Sequence, residues 1–536
     1  MYHDSKLAVR SNPQEGRARR PASEGRAETG TAIEPGIDRV GIADVVGVAR
    51  GRAFVTTAPA VVEHLQRARA IVLRAAEGDQ SIYGLTSALG ANTGKVLPPE
   101  ERALYQVRAV RARAVGVGPA MPEDQVRAAM FARIAGMAQG GSGVSIAVYR
   151  ALVDALNRGV HACVPAWGSI SVADMPPLSH IALVLIGEGE AFVAGRRVTG
   201  AEALAHAGLE PVALGVKDGL ALFSANAVTV GRASLVLHDL ADMLDRLDDI
   251  VALSCEGFRA NVSPLDPRAQ AARGAPGQAL AAARLRESLA QSGLFAPDAA
   301  RRVQDPLSYR CVAQVHGAAL DALAHAVLHV EIELNARADS PLVDAATGAI
   351  FSTGNFHIPG LAIAHEALGL SIAQVAAMLV QRCIHLLAPA TSDLPLQLTR
   401  HSPEQSGFAT VQKTLTALLN DIRHLANPAC LDFLPVSAGI EDHAPMAQKC
   451  VTKLAAMHER LAYLAAIEAV IAAQAVDLRP PEVRATLGRG AVRIYEGVRE
   501  HVPFLDDDRP LGPDIERVAG WLRAVDATPI IAAEGE

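Results

Sequence analysis

The sequence predicts a large, mainly α-helical protein in which a long helical bundle follows a smaller N-terminal α+β region. Three observations predict it. The chain has 536 residues, half of them apolar, which is ample for a substantial core. Alanine is abundant and aromatics make up only 4%, a composition suited to close-packed helices rather than sheets. From about residue 230 onward almost every segment repeats apolar residues at three- and four-residue steps.

The elements follow in order. Residues 1–37 are rich in Arg, Gly and Glu, and are expected to form a disordered arm without the apolar run of a signal peptide. An N-terminal domain is expected over 38–210. It opens with a strand-turn element after Ile42 and the helix APAVVEHLQRARAIVLRAA, followed by a long Gly-containing loop over 77–95. The stretches PPEERALYQVRAVRARAVGVG and PEDQVRAAMFARIAGMAQGGSG each begin with Pro and acids and finish in Gly, the start and stop chemistry of helices. The bundle is expected over 211–500. Its first helix carries Leu235, Leu237, Leu240, Met243, Leu244 and Leu247 on one face. In the most apolar helix, Leu361 to Leu387, the interruptions at His365, Glu366 and Arg382 leave a run too short for a bilayer. Residues 501–536 are left as a C-terminal segment, and no internal repeat is found.

Composition excludes several functions. The net charge is -7 and there is no basic stripe with interleaved aromatics, which argues against nucleic-acid binding. Six scattered cysteines include no CxxC pair. The sequence is therefore read as having no short Cys/His ligand spacing, no disulfide framework and no metal site, with reduced thiols in a cytoplasmic protein.

Five non-helical stretches concentrate polar groups beside Gly or Pro: IYGLTSALG (82–90), GSISVADMPPLSH (168–180), QDPLSYRC (304–311), STGNFH (352–357) and PVSAGIEDHAPM (435–446). Taken alone, Tyr83 is a half-buried core tyrosine, Arg310 a surface charge at a helix start and Glu441 a solvated carboxylate. Together, in this order and with these helices between them, they resemble the aromatic amino acid lyase family, typified by histidine ammonia-lyase, over residues 40 to 500. The resemblance implies an ammonia-lyase-like fold of the fumarase/aspartase type. It also implies a homotetramer whose active sites draw loops from several subunits around a small amino acid or betaine.

In that family an Ala-Ser-Gly segment cyclises to the methylidene-imidazolone electrophile, MIO, within a pattern close to GSxGASGDLxPLxH. Here the loop reads GSISVADMPPLSH and is one residue shorter. Ser169, Ser171, Val172, Ala173 and Asp174 form a degenerate version, and the branched Val172 opposes the tight geometry that Gly permits. No MIO, and no other cofactor, is expected.

The same resemblance matches Tyr83 to the base that removes the β-proton and Arg310 to the clamp on the substrate carboxylate, a role suited to a planar guanidinium. Gln304 and Asn355 match substrate-binding positions, and Glu441 matches the contact to the substrate ring. Three departures accompany the lost Ala-Ser-Gly. Arg113 stands where His is usual, Ser224 stands where Asn contacts the MIO, and Leu307 replaces a frequent Tyr. Lys413 stands at a position facing the ring pocket, near Glu441. This combination resembles ergothionase, the MIO-lacking branch that eliminates trimethylamine from ergothioneine to give thiourocanate. A quaternary ammonium has no N–H for a base to remove and leaves as a neutral amine. Lys413 and Glu441 would stabilise charge growing on the ring, and Arg113 would favour the Tyr83 phenolate while repelling the trimethylammonium. The alternatives are a histidine ammonia-lyase-like enzyme that gives urocanate by an altered electrophile, and a catalytically inactive homologue.

Overall fold

The computed structural model describes residues 30–524, so most of the expected N-terminal arm lies outside the described residues. Its last part is not irregular: Thr31–Ile33 pairs in parallel with Ala53–Val55, which corrects the boundary at residue 37. Between these strands Ile42–Ala49 is a helix rather than the expected strand-turn element. The Asp44 carboxylate accepts a hydrogen bond from the Gly41 amide at 2.8 Å, and Val45, Val46 and Val48 are buried. A β-rich run of residues is helical here because it is capped and packed on one side. The remaining strands are short, the largest set being His161–Ala162, Glu190–Val193 and Arg196–Thr199 in antiparallel order.

Five helices form the bundle: α1 (Ala227–Phe258), α2 (Val312–Leu334), α3 (Pro359–Leu387), α4 (Val411–Leu425) and α5 (Ala447–Asp477). Helices α1, α3 and α5 run in the same direction. Their N-termini meet around residues 170–174, and their far ends meet where Glu468 joins Ser254 and Arg382. Helices α2 and α4 run the opposite way; Lys453 of α5 bonds the Asn427 carbonyl just past the end of α4. Small residues allow the close approach. A Cβ on Gly257 would meet the Ala475 methyl at 3.0 Å, and Ala462, Ala465, Ala466, Ala469, Ala472 and Ala473 are fully buried. The C-terminal helix Gly512–Arg523 packs on α5, so the segment after residue 500 belongs to the same body.

The apolar helices bury charges between them near their far ends. Arg382 and Glu468 are both 0% exposed and pair through two hydrogen bonds of 2.6 and 2.9 Å. Ser254 donates to the same carboxylate at 2.7 Å. By length and composition Asp218–Phe258 and Pro359–Leu387 would each reach across a bilayer, which corrects the expectation of a short apolar run for the second. Of their apolar windows, 89% and 56% are buried inside the protein.

Removing one partner of this pair strands the other charge in the core. Glu468→Ala should therefore lower the unfolding free energy by about 3–5 kcal/mol, whereas Arg382→Met with Glu468→Leu should cost much less. Urea melts of the two variants check this, and equal losses would refute it.

Candidate active site

The degenerate loop is tied to all three parallel helices at their N-termini. The Asp174 carboxylate accepts from the Thr229 amide at 2.7 Å and the Thr229 hydroxyl at 2.9 Å, so it caps the first turn of α1. Ser169 donates to it at 2.6 Å. The Ser171 hydroxyl accepts from the Gln448 amide at 2.8 Å, capping α5 in the same way. Val172 forms a β-bridge with His357, just ahead of α3. Asp174 is fully buried and burial pushes its carboxyl pKa up, while Ser169, Thr229 and Arg232 oppose the rise. Three donors converging on the carboxylate favour its charged form.

The loop backbone is strained in two places. Ser171 and Ala173 have φ of 61° and 56°, the left-handed region that non-glycine residues rarely occupy. Counting back from Asp174, Ser171, Val172 and Ala173 stand in the places of Ala, Ser and Gly in the family pattern. Ala173 thus keeps a glycine-like conformation without glycine.

Other site residues gather at this end of the bundle. Ser224 is buried and lies next to Ala225, whose carbonyl accepts from the Asp174 amide at 2.7 Å. The Arg113 guanidinium sits 4.9 Å from the Phe223 ring centroid and donates to the Ala109 carbonyl at 3.1 Å. Burial lowers its pKa, and the nearby Tyr105, Tyr83 and Glu441 counter the shift. Tyr83 is half-buried and its hydroxyl accepts from the Gly90 amide at 3.1 Å. The Glu441 carboxylate accepts from the Ser437 hydroxyl at 2.8 Å. Asn355 is exposed, with its side-chain amide 3.4 Å from the Arg337 carbonyl.

Arg310, Gln304 and Lys413 lie at the opposite end. Arg310 donates to Gln304 at 2.5 Å, and its neighbour Ser308 bonds Arg382 near the far end of α3. Pro359 and Arg382 are separated by about 35 Å of helix at roughly 1.5 Å per residue. Lys413 is exposed in the first turn of α4. The adjacent Gln412 bonds Gln397, and Leu398 bonds Gln474, which is about 40 Å along α5 from Ala447. The expected proximity of Lys413 to Glu441 is therefore not found within one chain. A cleft of about 1300 Å³ bounded by Arg50, Glu123, Asn157, Arg158 and His206 contains none of the candidate residues.

Sequence reasoning missed several groups. His357 and His443 are hydrogen bonded, Nε2 to Nδ1, at 2.7 Å, and join the STGNFH and GIEDH segments; their presence in both quoted motifs was the available signal. Gln448 acts through its backbone amide and Thr229 through its amide as well as its hydroxyl; no residue pattern announces an amide.

The aromatic amino acid lyase family model matches residues 40–500. Histidine ammonia-lyase of Gloeobacter violaceus is 39% identical over 479 residues, covering 89% of this chain and 92% of the relative. The Myxococcus xanthus histidine ammonia-lyase is 36% identical, covering 92% and 97%. The crystal structure of the ergothioneine-degrading enzyme ergothionase from Treponema denticola, bound to desmethyl-ergothioneine sulfonic acid, superposes with a TM-score of 0.88 and 33% identity, covering 92% of this chain and 98% of that one. Histidine ammonia-lyase from Trypanosoma cruzi gives a TM-score of 0.84 at 26% identity, covering 92% and 93%.

Asp174→Ala removes the α1 cap and leaves the Thr229 amide and two hydroxyls without their acceptor. It should cost about 2 kcal/mol or more, whereas Ser171→Ala should cost about 1 kcal/mol. Thermal unfolding of both variants measures this, and an unchanged Asp174→Ala protein would show that the cap carries no stability.

Proposed function

Because this chain belongs to the aromatic amino acid lyase family and is a carbon–nitrogen lyase, we propose that it eliminates trimethylamine from ergothioneine to give thiourocanate without a backbone-derived electrophile. The observation that carries this reading is Val172. It stands where the electrophile's methylidene carbon must come from a serine, and it has no hydroxyl to lose as water. The residues of the loop do not fit an MIO.

The elimination then runs on this chain's own side chains. The Tyr83 phenolate takes the β-proton, and the C–H electron pair becomes the double bond. The Cα–N bond breaks with its pair on nitrogen, releasing neutral trimethylamine. Arg113, close to Tyr83 and Glu441, supports the negative charge on the base. Glu441 and Lys413 hold the substrate ring as charge develops on it. Arg310, with Gln304, clamps the carboxylate and Asn355 completes the polar lining.

On this reading each site draws on more than one chain. Arg310 and Lys413 cannot reach the Tyr83 end of their own bundle across about 35–40 Å, so each site takes them from neighbouring subunits, as in a homotetramer. Six free cysteines fit a reducing, cytoplasmic setting. A second reading, ammonia release from histidine, is favoured by the 39% identity to a histidine ammonia-lyase.

The two readings separate in one assay. Ultraviolet absorbance of a conjugated acrylate should rise with ergothioneine, together with trimethylamine, and stay flat with histidine; the intact mass should equal that of the unmodified sequence. A rise with histidine and a mass reduced by loss of water would overturn the proposal. Shared sites give a second expectation. Tyr83→Phe and Arg310→Ala should each lower kcat/KM by about 100-fold or more, and co-expression of the two variants should recover part of the activity because some mixed sites contain both native residues. No recovery in isolated mixed oligomers would place both residues in one chain's site.

A further inference from the structure

Away from the candidate active site, His325 and His329 stand four residues apart in the sequence AHAVLHV on α2. This H-x3-H spacing corrects the reading that the sequence holds no short Cys/His ligand spacing. One helical turn stacks the two side chains. Their Nε2 atoms are 3.2 Å apart, with ring centroids at 4.7 Å and planes at 83°. Within one chain His325 is exposed and His329 half-buried, so one side of the pair is uncovered by the chain's own residues.

The His329 ring is held from the other side by α3. A Cβ on Gly360 would meet its Cε1 at 2.6 Å and its Nδ1 at 2.9 Å; only glycine leaves room for the ring in this position. His365 on α3 is the other imidazole facing His329. Burial lowers its pKa to about 4, and its Nδ1 donates to the Leu361 carbonyl at 2.8 Å.

We propose that His325 and His329 chelate a late first-row divalent cation through their two Nε2 atoms. With metal–nitrogen bonds of about 2.05 Å, nitrogens 3.2 Å apart subtend about 100° at the metal, between the octahedral and tetrahedral angles. Both Nε2 lone pairs are needed. The ring that now donates from Nε2 therefore carries its hydrogen on Nδ1 when the cation binds, and no net proton is released from a neutral pair. Among the described residues no group of three or more His, Cys, Asp or Glu could hold a metal. The remaining positions on the cation thus belong to water or to a donor from another molecule. Imidazole-only ligation selects zinc, nickel or copper over magnesium and calcium.

The test uses the full chain and Zn2+ as the probe, followed by isothermal titration calorimetry at neutral pH in a non-coordinating buffer. One site per chain is expected, weakened about 10-fold or more in His325→Ala and in His329→Ala and unchanged in His443→Ala, with Mg2+ giving no binding. Because His325 is exposed, its substitution should leave the thermal melt of the metal-free protein unchanged, so loss of binding cannot be ascribed to misfolding. Equal Zn2+ binding in wild type and His325→Ala, absence of binding in the wild type, or loss in His443→Ala instead would each overturn the assignment.

Discussion

The position of everything in the candidate site depends on one buried carboxylate. Asp174 ends the small-residue loop and, through Thr229, begins α1. The helix it caps is 32 residues long, and the buried Thr229 amide in its first turn would otherwise lack this acceptor. Because the same carboxylate also receives Ser169, the cap fixes the loop as well as the helix. Ser171 repeats the device on α5. This explains why residues with left-handed φ persist at 171 and 173: neighbouring hydrogen bonds determine the conformation, and local preference does not. It also explains the small residues around the acid. Three helix ends cannot converge on one loop if that loop carries bulk.

Parallel helices give the chain two chemically different ends. At one end lie Tyr83, Glu441 and the loop of residues 168–174; at the other lie Arg310 and Lys413. The Arg382–Glu468 pair is buried near the second end and takes part in no surface contact. Its effect is to fix the axial register of α3 against α5, since a slip by one turn would strand both charges in alanine and leucine. Register matters on the proposed reading, because a shared site needs the two ends to match those of neighbouring chains. On the proposed reading, the stability of the bundle interior and the geometry of a site between subunits are the same constraint.

Much of this was legible in the sequence. The bundle helices follow from their apolar period, and the loops carrying Tyr83, Asp174, Asn355 and Glu441 follow from Gly and Pro punctuation. Three things were not legible, each for a physical reason. Ile42–Ala49 has the composition of a strand and is helical because of a capping acid and one-sided burial. The caps from Asp174 and Ser171 bond to backbone amides, which are independent of side-chain identity. The distance between Lys413 and Glu441 depends on helix direction, which periodicity does not encode. The H-x3-H pair on α2 is different. It was visible in the sequence but lay inside a strongly apolar helix, where the eye reads core.

Arg113 brings these points to the chemistry. A guanidinium near the base would oppose binding of a trimethylammonium substrate, and the sequence alone offers no resolution. On the proposed reading the repulsion acts only while the substrate is cationic. As the Cα–N bond breaks, positive charge leaves the nitrogen and the repulsion falls, while attraction to the negative charge passed from the base to the substrate ring remains. The unfavourable interaction is thus larger in the ground state than in the transition state, the condition under which it lowers the barrier. For a substrate with an ordinary ammonium group the same arginine would favour loss of an N–H proton and so spoil the leaving group. On that reading an arginine in place of histidine, together with a valine where a serine would have to dehydrate, favours one class of amine over the other within an unchanged fold.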